Sequence, residues 1–146
     1  MPTKSTKPKN RKVEIQYAVP KRGVPSPTSL RKWARLVPMA ATLRIVGAAE
    51  GRRLNRQYRN KPYATNVLSF RYADAGGDIV LCHPVIAREA RAQGKSLAAH
   101  YAHLVLHGLL HLRGYRHETT REARRMAREE IRLLARAGFG NPYTVE

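Results

Sequence analysis

Residues 97–112 read LAAHYAHLVLHGLLHL, and this stretch decides the fold. Apart from its histidines and the hydroxyl group of Tyr101, the segment contains no polar side chain. A helix that is apolar nearly all round belongs in the middle of a domain, because it has no face suited to water. Ser96 can cap its start and Gly114 can end it, so we predict a buried central helix from Leu97 to Arg113.

Four histidines of this segment lie on one stripe of the predicted helix. At about 100° per residue they fall within roughly 80° of one another. They are His100, His103, His107 and His111. A buried imidazole without a partner costs on the order of 1–3 kcal/mol, so each ring needs a ligand or a hydrogen bond. For His100 and His103 we favour orienting or packing roles over metal ligation.

The other two histidines belong to a longer pattern. His107 and His111 are four residues apart, so both side chains can point at one metal ion. Gly114 allows the chain to reverse, and His117 follows three residues later. The spacing HxxxHxxGxxH is that of the three-histidine zinc sites of metzincin proteases. Because three protein ligands leave a tetrahedral position open, we predict one catalytic Zn²⁺ ion per chain.

The residue beside the first ligand separates this chain from the zinc proteases. Those enzymes carry a glutamate there as general base, whereas this chain has Gly108. Peptide hydrolysis is therefore not expected, and another group must act as the base. The acidic candidates, near enough in sequence or in the predicted fold, are Asp78, Glu118 and Glu122.

The chain is strongly basic. It has 28 Lys and Arg against 10 Asp and Glu in 146 residues, a formal net charge of +18. A surplus of this size suggests a polyanionic partner, most simply nucleic acid. Residues 1–12 carry basic side chains and no acid, so we expect a flexible basic arm before a single domain at 13–146. No segment is apolar and long enough to span a bilayer, so we expect a cytoplasmic protein without a membrane partner.

The order of the remaining patterns predicts an α+β fold. Alternating apolar residues and short apolar runs predict strands at 13–17, 43–46, 66–72 and 78–81, the last two as a hairpin. Amphipathic stretches between capping residues predict further helices at 30–39, 50–58, 83–93 and 120–137. We therefore expect a small mixed sheet of about four strands packed with helices, with a zincin-like metal-binding helix at the centre.

The stretch HGLLHLRGYRH at 107–117 resembles the motif HGxLHLxGYDH of the YbeY family of bacterial metal-dependent endoribonucleases. Separate stretches resemble family patterns too, and the resemblance runs from about residue 13 to the C-terminus. These stretches are LNRQYR at 54–59, TNVLSF at 65–70, GDIV at 77–80 and NPY at 141–143.

The resemblance implies a single-strand-specific, zinc-dependent endoribonuclease that acts in 16S rRNA 3′-end maturation and ribosome quality control. The metal ligands would be His107, His111 and His117, and Arg59 would stabilise charge on the phosphate. A zinc-bound water or the RNA 2′-hydroxyl would attack phosphorus. The implied partners are ribosomal RNA and the small ribosomal subunit, with small-subunit ribosomal proteins or an assembly GTPase as further ones.

Two further basic stretches are candidates for holding the RNA backbone. One surrounds Arg59 and comprises Arg52, Arg53, Arg56 and Lys61. The other is the predicted helix at 120–137, where several arginines lie among apolar residues such as Met126. For that helix we favour a solvated charged face over a packed apolar one, with rRNA contact as the alternative.

One position departs from the family pattern in a way that bears on activity. The family aspartate before the last histidine is Arg116 here, and Glu118 beyond that histidine is a candidate replacement. The alternative function is therefore a ribosome assembly factor that binds rRNA with a mainly structural zinc and little catalysis. A metallohydrolase for peptides or small molecules is a third reading, disfavoured by Gly108 and by the charge of +18.

Overall fold

A computed structural model describes residues 12–73 and 75–144 of the chain. Within these ranges the chain forms four strands and five helices. In chain order they are β1 Val13–Tyr17, α1 Pro27–Ala34, β2 Ala41–Val46, α2 Ala48–Arg59, β3 Val67–Arg71, β4 Gly77–Cys82, α3 His83–Gln93, α4 Leu97–Leu112 and α5 Thr120–Arg136. The predicted basic arm lies outside the described residues except for Lys12, whose carbonyl accepts the backbone N–H of Ala41 at 3.2 Å.

The strands form one mixed sheet in the order β1-β2-β4-β3. β1, β2 and β4 run parallel, so that Ile15 pairs with Leu43 and Leu43 with Ile79. β3 lies antiparallel to β4 and pairs Ser69 with Ile79, which makes the predicted hairpin. Every residue of β4 is buried, as expected for a strand inside a covered sheet. The α+β prediction with a mixed sheet of four strands is confirmed.

Helix α4 is the central helix of the core. It packs against β3 and β4 on one side and against α1, α3 and α5 on the others. Tyr101, Leu106 and Leu109 are each fully buried. The Tyr101 hydroxyl forms a 2.7 Å hydrogen bond with Nδ1 of His83, so its polar atom has a partner inside the core. The prediction of a buried central helix is confirmed.

The length of α4 also bears on membranes. The helix is the most apolar of the five but has 16 residues, whereas crossing a bilayer takes about 20. None of the helices in the described ranges combines the length and apolar character that a membrane crossing requires.

Capping residues set the helix boundaries, and at α1 the predicted boundaries are wrong. The helix starts earlier than predicted, because the Ser26 hydroxyl accepts the backbone N–H of Ser29 at 3.1 Å and Pro27 stands in the first turn. It also ends earlier, at Ala34 rather than residue 39. Pro38 prevents the helix from reaching residue 39, since proline lacks a backbone N–H and disfavours helical geometry in the residue before it.

Gly108 allows α4 to approach the sheet. A β-carbon at this position would lie 3.0 to 3.2 Å from three side-chain carbons of Ile79 in β4, closer than carbon atoms normally pack. Position 108 therefore faces the sheet. A glutamate there would be pressed against Ile79, so the base that zinc proteases use at this position has no room in this fold.

We predict that Gly108→Glu lowers the free energy of unfolding by about 3 kcal/mol or more, because it overpacks the contact and buries an unpaired charge. Ala98→Glu adds the same side chain at an exposed position of the same helix and serves as the control. Its effect should stay within about 0.5 kcal/mol. Urea unfolding followed by circular dichroism measures both. Equal stability of the two variants would contradict the packing described for Gly108.

Candidate metal centre

The structure brings the three predicted metal ligands together. His107 and His111 project from α4, and His117 comes from the loop that follows the helix. The ring centroids are 4.6 Å apart for His107 and His111, 4.7 Å for His111 and His117, and 5.6 Å for His107 and His117. One nitrogen of each ring lies within 4.8 Å of the others, so all three can contact one ion.

The loop geometry that places His117 depends on Gly114. This residue has a φ of +101°, which side chains other than glycine rarely tolerate. The Gly114 N–H donates to His111 O at 2.9 Å, and the Tyr115 N–H donates to Leu110 O at 3.0 Å. These bonds close the end of α4 and turn the chain back towards the two helical histidines.

Hydrogen bonds at the Nδ1 atoms settle which nitrogens face the centre of the cluster. His107 Nδ1 donates to the Glu130 carboxylate at 2.5 Å, and His111 Nδ1 donates to the Tyr115 carbonyl at 3.0 Å. Burial, together with the nearby rings of His107 and His117, lowers the pKa of His111 and favours its neutral form. With its proton on Nδ1, the neutral ring of His111 carries a lone pair on Nε2.

The Nε2 atoms of His107 and His111 face each other at 3.1 Å. Two nitrogens bound to tetrahedral zinc lie about 3.3 Å apart, which is close to this separation. The donor set and its proton positions therefore fit a metal ion. Nitrogen ligands in a three-histidine set suit zinc among the common divalent metals.

The most important residue that the sequence analysis missed is Glu130 of α5. Its carboxylate is 1% exposed and contacts His107 through one oxygen and His103 through the other, the latter at 3.1 Å. Burial alone would raise the pKa of this carboxyl group, but hydrogen bonds from His103, His107 and Tyr143 outweigh burial and lower the pKa to about 2. A charged carboxylate on Nδ1 of a ligand histidine fixes its tautomer and makes Nε2 a better donor.

His103 and Tyr143 complete the surroundings of this carboxylate. The Tyr143 hydroxyl donates to the same Glu130 oxygen as His103, and Lys95 Nζ donates to Pro142 O at 3.0 Å, which holds the segment carrying Tyr143. His103, His107 and Glu130 also form a group that could hold a metal. Since His107 Nδ1 already donates to Glu130, we interpret this group as an orienting network.

His100 has a separate partner. It is buried, and its Nε2 donates to the Glu89 carboxylate of α3 at 2.8 Å. The same Glu89 oxygen accepts from the Asn66 side chain at 3.0 Å. The structure thus places His100 in the packing between α3 and α4, about two helical turns from His107 of the ligand cluster.

Two arginines share a groove of about 390 Å³ with the three histidines. Arg59 is the last residue of α2, where Asn60 in the left-handed conformation ends the helix. Arg71 is the last residue of β3, and its guanidinium also donates to His111 O at 3.1 Å. Arg71 was missed, although it directly follows the TNVLSF stretch. Both arginines thus border the same groove as the three histidines.

The remaining predicted RNA contacts lie outside this groove. They are Arg52, Arg53, Arg56 and Lys61, all exposed on α2 or just after it. Arg52 and Arg56 precede Arg59 by seven and three residues, so these three share one side of the helix. Arg53 lies about 100° around the helix from Arg52. The structure therefore allows Arg52 and Arg56, more than Arg53, to extend the basic surface next to the groove.

The three candidate bases lie in different environments. Asp78 is buried in β4 and accepts a hydrogen bond from the Tyr72 hydroxyl, and it does not line the groove. Glu122 is committed to a capping box with Thr119 at the start of α5. Glu118 is exposed and lines an adjoining groove of about 380 Å³ together with His111 and His117. Of the three, Glu118 is the carboxylate beside the metal centre.

Comparison with known proteins identifies the family. The family described as Endoribonuclease YbeY matches residues 28–138. The chain belongs to the YbeY family. An endoribonuclease YbeY from Aromatoleum aromaticum is 55% identical over 126 residues, covering 81% of this chain and 82% of that protein. One from Stenotrophomonas maltophilia is 47% identical over 152 residues, covering 92% and 94%. These matches confirm the resemblance predicted from the motifs.

A solved structure has a similar fold. The solution structure of TM1509 from Thermotoga maritima has a TM-score of 0.58 and 22% sequence identity, and the match covers 91% of this chain and 99% of that one. This likeness concerns the fold alone.

Within the YbeY family motif, Arg116 of this chain is exposed, with its guanidinium 3.5 Å from the Glu118 carboxylate.

We predict that Glu130→Gln weakens Zn²⁺ binding by about 10- to 100-fold, because the amide no longer holds the His107 tautomer by charge. Competition with a fluorescent zinc chelator measures the affinity, and thermal unfolding of the metal-free protein measures the structural cost separately.

Glu129→Gln is the matched control, since Glu129 is the preceding residue and pairs with Arg132 on the outer side of α5. Its zinc affinity should equal that of the wild type. If both variants bind zinc like the wild type, the orienting role of Glu130 is wrong.

Proposed function

We propose that this chain is a zinc-dependent endoribonuclease that cuts single-stranded RNA in 16S rRNA 3′-end maturation and ribosome quality control. The observation that carries the proposal is the groove in which three histidine nitrogens and two guanidinium groups face the same space. The name of its relatives, endoribonuclease YbeY, supports this activity.

His107, His111 and His117 would hold the metal, which when bound supplies a Lewis acid beside the scissile phosphate. Glu130 keeps the proton of His107 on Nδ1 and the Tyr115 carbonyl keeps that of His111 on Nδ1, so both Nε2 lone pairs remain available. The chain thus prepares its donor atoms through hydrogen bonds on the far side of each ring.

Arg59 and Arg71 hold the phosphate. A guanidinium group can bind two phosphate oxygens at once, and its fixed positive charge stabilises the negative charge that grows as phosphorus becomes five-coordinate. The nucleophile is water or the RNA 2′-hydroxyl. Glu118, open to the adjoining groove, is the carboxylate placed to accept its proton in the absence of an aspartate at position 116.

Exposed aromatic rings support a single-stranded substrate. Tyr58 and Tyr63 are 42% and 57% exposed near the end of α2 that carries Arg59, and Tyr58 packs edge-on against Phe70 at 5.0 Å. Unpaired bases stack on such rings, whereas bases within a duplex are not accessible to them.

The net charge of +18 supports partners that are rich in phosphate. We propose ribosomal RNA in the small ribosomal subunit as the partner, in the cytoplasm, with small-subunit ribosomal proteins or an assembly GTPase as further contacts. The second candidate function is an rRNA-binding assembly factor with a mainly structural zinc. The exposed Arg116 favours this alternative, because it replaces the aspartate of the family motif.

The test is cleavage of a 3′-extended small-subunit rRNA fragment by wild type, Arg59→Ala and His111→Ala, all purified in the same way. We expect cutting by the wild type and a loss of at least about 100-fold in both variants, because Arg59→Ala removes a charge that stabilises the transition state and His111→Ala removes a ligand of the metal. Equal cutting by all three would reveal a contaminating ribonuclease. RNA binding without cutting by any of them would establish the assembly-factor alternative.

A 2′-deoxy substitution at the cleaved nucleotide identifies the nucleophile. If the 2′-hydroxyl attacks, the substituted fragment should stay intact and the unmodified one should yield a 2′,3′-cyclic phosphate. If water attacks, both fragments should be cut at similar rates. Mass spectrometry of the products distinguishes the two outcomes.

A further inference from the structure

Helix α5 carries a continuous stripe of arginines, which we call the arginine stripe. At about 100° per residue its members fall within roughly 120° of one another, and the stripe is about 22 Å long. All six are exposed. The members are Arg121, Arg124, Arg125, Arg128, Arg132 and Arg136.

The acidic residues of the same helix leave most of this charge uncompensated. Glu122 belongs to the capping box at the helix start, and Glu130 is buried against the histidines. Glu129 pairs with Arg132, which is the one arginine of the stripe in an ion pair within residues 12–73 and 75–144. A merely solvated face would be expected to mix both signs of charge, whereas this one presents a single sign.

One part of the stripe approaches the metal centre, at Arg125 near the start of α5. The Arg125 guanidinium lies over the Tyr115 ring, 4.7 Å from its centroid. The carbonyl of Tyr115 accepts the hydrogen bond from Nδ1 of His111, and Tyr115 lines the adjoining groove with Arg116 and His117. The stripe therefore begins beside the adjoining groove and follows the side of α5 opposite to Glu130.

We propose that the arginine stripe binds the phosphate backbone of RNA that extends from the metal groove. The choice of RNA as the polyanion rests on the proposed function. Arginine suits this role because its planar guanidinium contacts two phosphate oxygens and stays charged at every physiological pH. The sequence alone favoured a solvated charged face. The structure shows that all six arginines of the stripe are exposed, that the acidic residues of α5 already have other partners, and that Arg125 contacts Tyr115.

An anionic membrane is a poorer fit for the same charges. Helices that bind membranes insert an apolar face between the lipids. The apolar face of α5 is already used inside the protein, since Met126, Leu133 and Leu134 are each at most 2% exposed. The exposed face of α5 therefore offers positive charge but no apolar surface to a partner, and positive charge is sufficient for binding a phosphate backbone.

The test compares two triple variants in binding to a labelled single-stranded RNA of about 25 nucleotides. Arg121→Gln, Arg124→Gln and Arg128→Gln together remove three members of the stripe and leave Arg125 and Arg132 in their contacts. Arg22→Gln, Lys32→Gln and Arg35→Gln together remove the same charge from exposed positions around α1. Both carry His111→Ala, so that the RNA stays intact. Circular dichroism verifies that both remain folded.

We expect the stripe variant to bind RNA at least about tenfold more weakly at 0.1 M salt than the His111→Ala parent. The slope of log affinity against log salt should fall by about 2, because each phosphate contact to a single strand contributes about 0.7. The α1 variant should change the slope by less than about 0.5. An equal loss in both variants would reduce the effect to net charge and overturn the proposal, as would no loss in either.

Two further measurements distinguish RNA binding by the stripe from membrane binding and from the nuclease activity. Binding of the parent to vesicles with phosphatidylserine, lost in the stripe variant while RNA binding is kept, would assign the stripe to a membrane and overturn the proposal. Cleavage plays no part in these measurements. If the wild type cuts no RNA but the stripe variant shows the smaller slope, the nuclease function fails and the RNA-binding surface stands.

Discussion

The hydrogen bond between the buried carboxylate of Glu130 and Nδ1 of His107 joins the core of this protein to its metal centre. Helix α4 must fill the middle of the fold with apolar side chains and also carry a row of imidazoles. These demands conflict, since each buried ring nitrogen without a partner costs on the order of 1–3 kcal/mol. Partners from other elements reduce the conflict: Glu130 from α5, Glu89 from α3 and the Tyr115 carbonyl from the following loop. Among the described residues, Nδ1 of His100 and Nδ1 of His103 stay buried without a hydrogen-bond partner.

Site residues that lie close together in the chain could be predicted from the sequence, whereas those that come from distant elements could not. The three histidines lie within eleven residues, so helical geometry and one glycine turn were enough to bring them together. Glu130, Arg71 and Tyr143 reach the same place from α5, β3 and the C-terminal segment, and no local rule connects them to it. One signal was available, because Glu130 stands at an apolar position of an amphipathic helix, between Met126 and Leu134. A lone acid on the buried side of a helix implies a basic partner across the interface.

The errors have equally local causes. The α1 boundaries were wrong because Ser26 offers an earlier cap and Pro38 an earlier end than the apolar pattern suggests. Asp78 was a reasonable acid to consider by its position in the chain, but it lies inside the sheet with Tyr72. Gly108 shows the reverse case. The motif showed that the glutamate base of the zinc proteases is absent at position 108. The reason why glycine is needed there, the close contact between α4 and Ile79, is visible only in the structure.

The order of the elements along the chain determines the order in which the parts of the candidate metal centre are synthesised. Proteins are synthesised from the N-terminus, and His107 and His111 of α4 leave the ribosome before α5 does. Until α5 docks, His107 lacks the carboxylate that fixes its tautomer, and the core lacks Met126, Leu133 and Leu134. Docking of this helix thus completes the core and supplies the residue that orients His107 in the same step. In a partly folded chain without docked α5, His107 lacks the hydrogen bond that keeps its proton on Nδ1, so the three histidines are less well prepared to hold a metal ion.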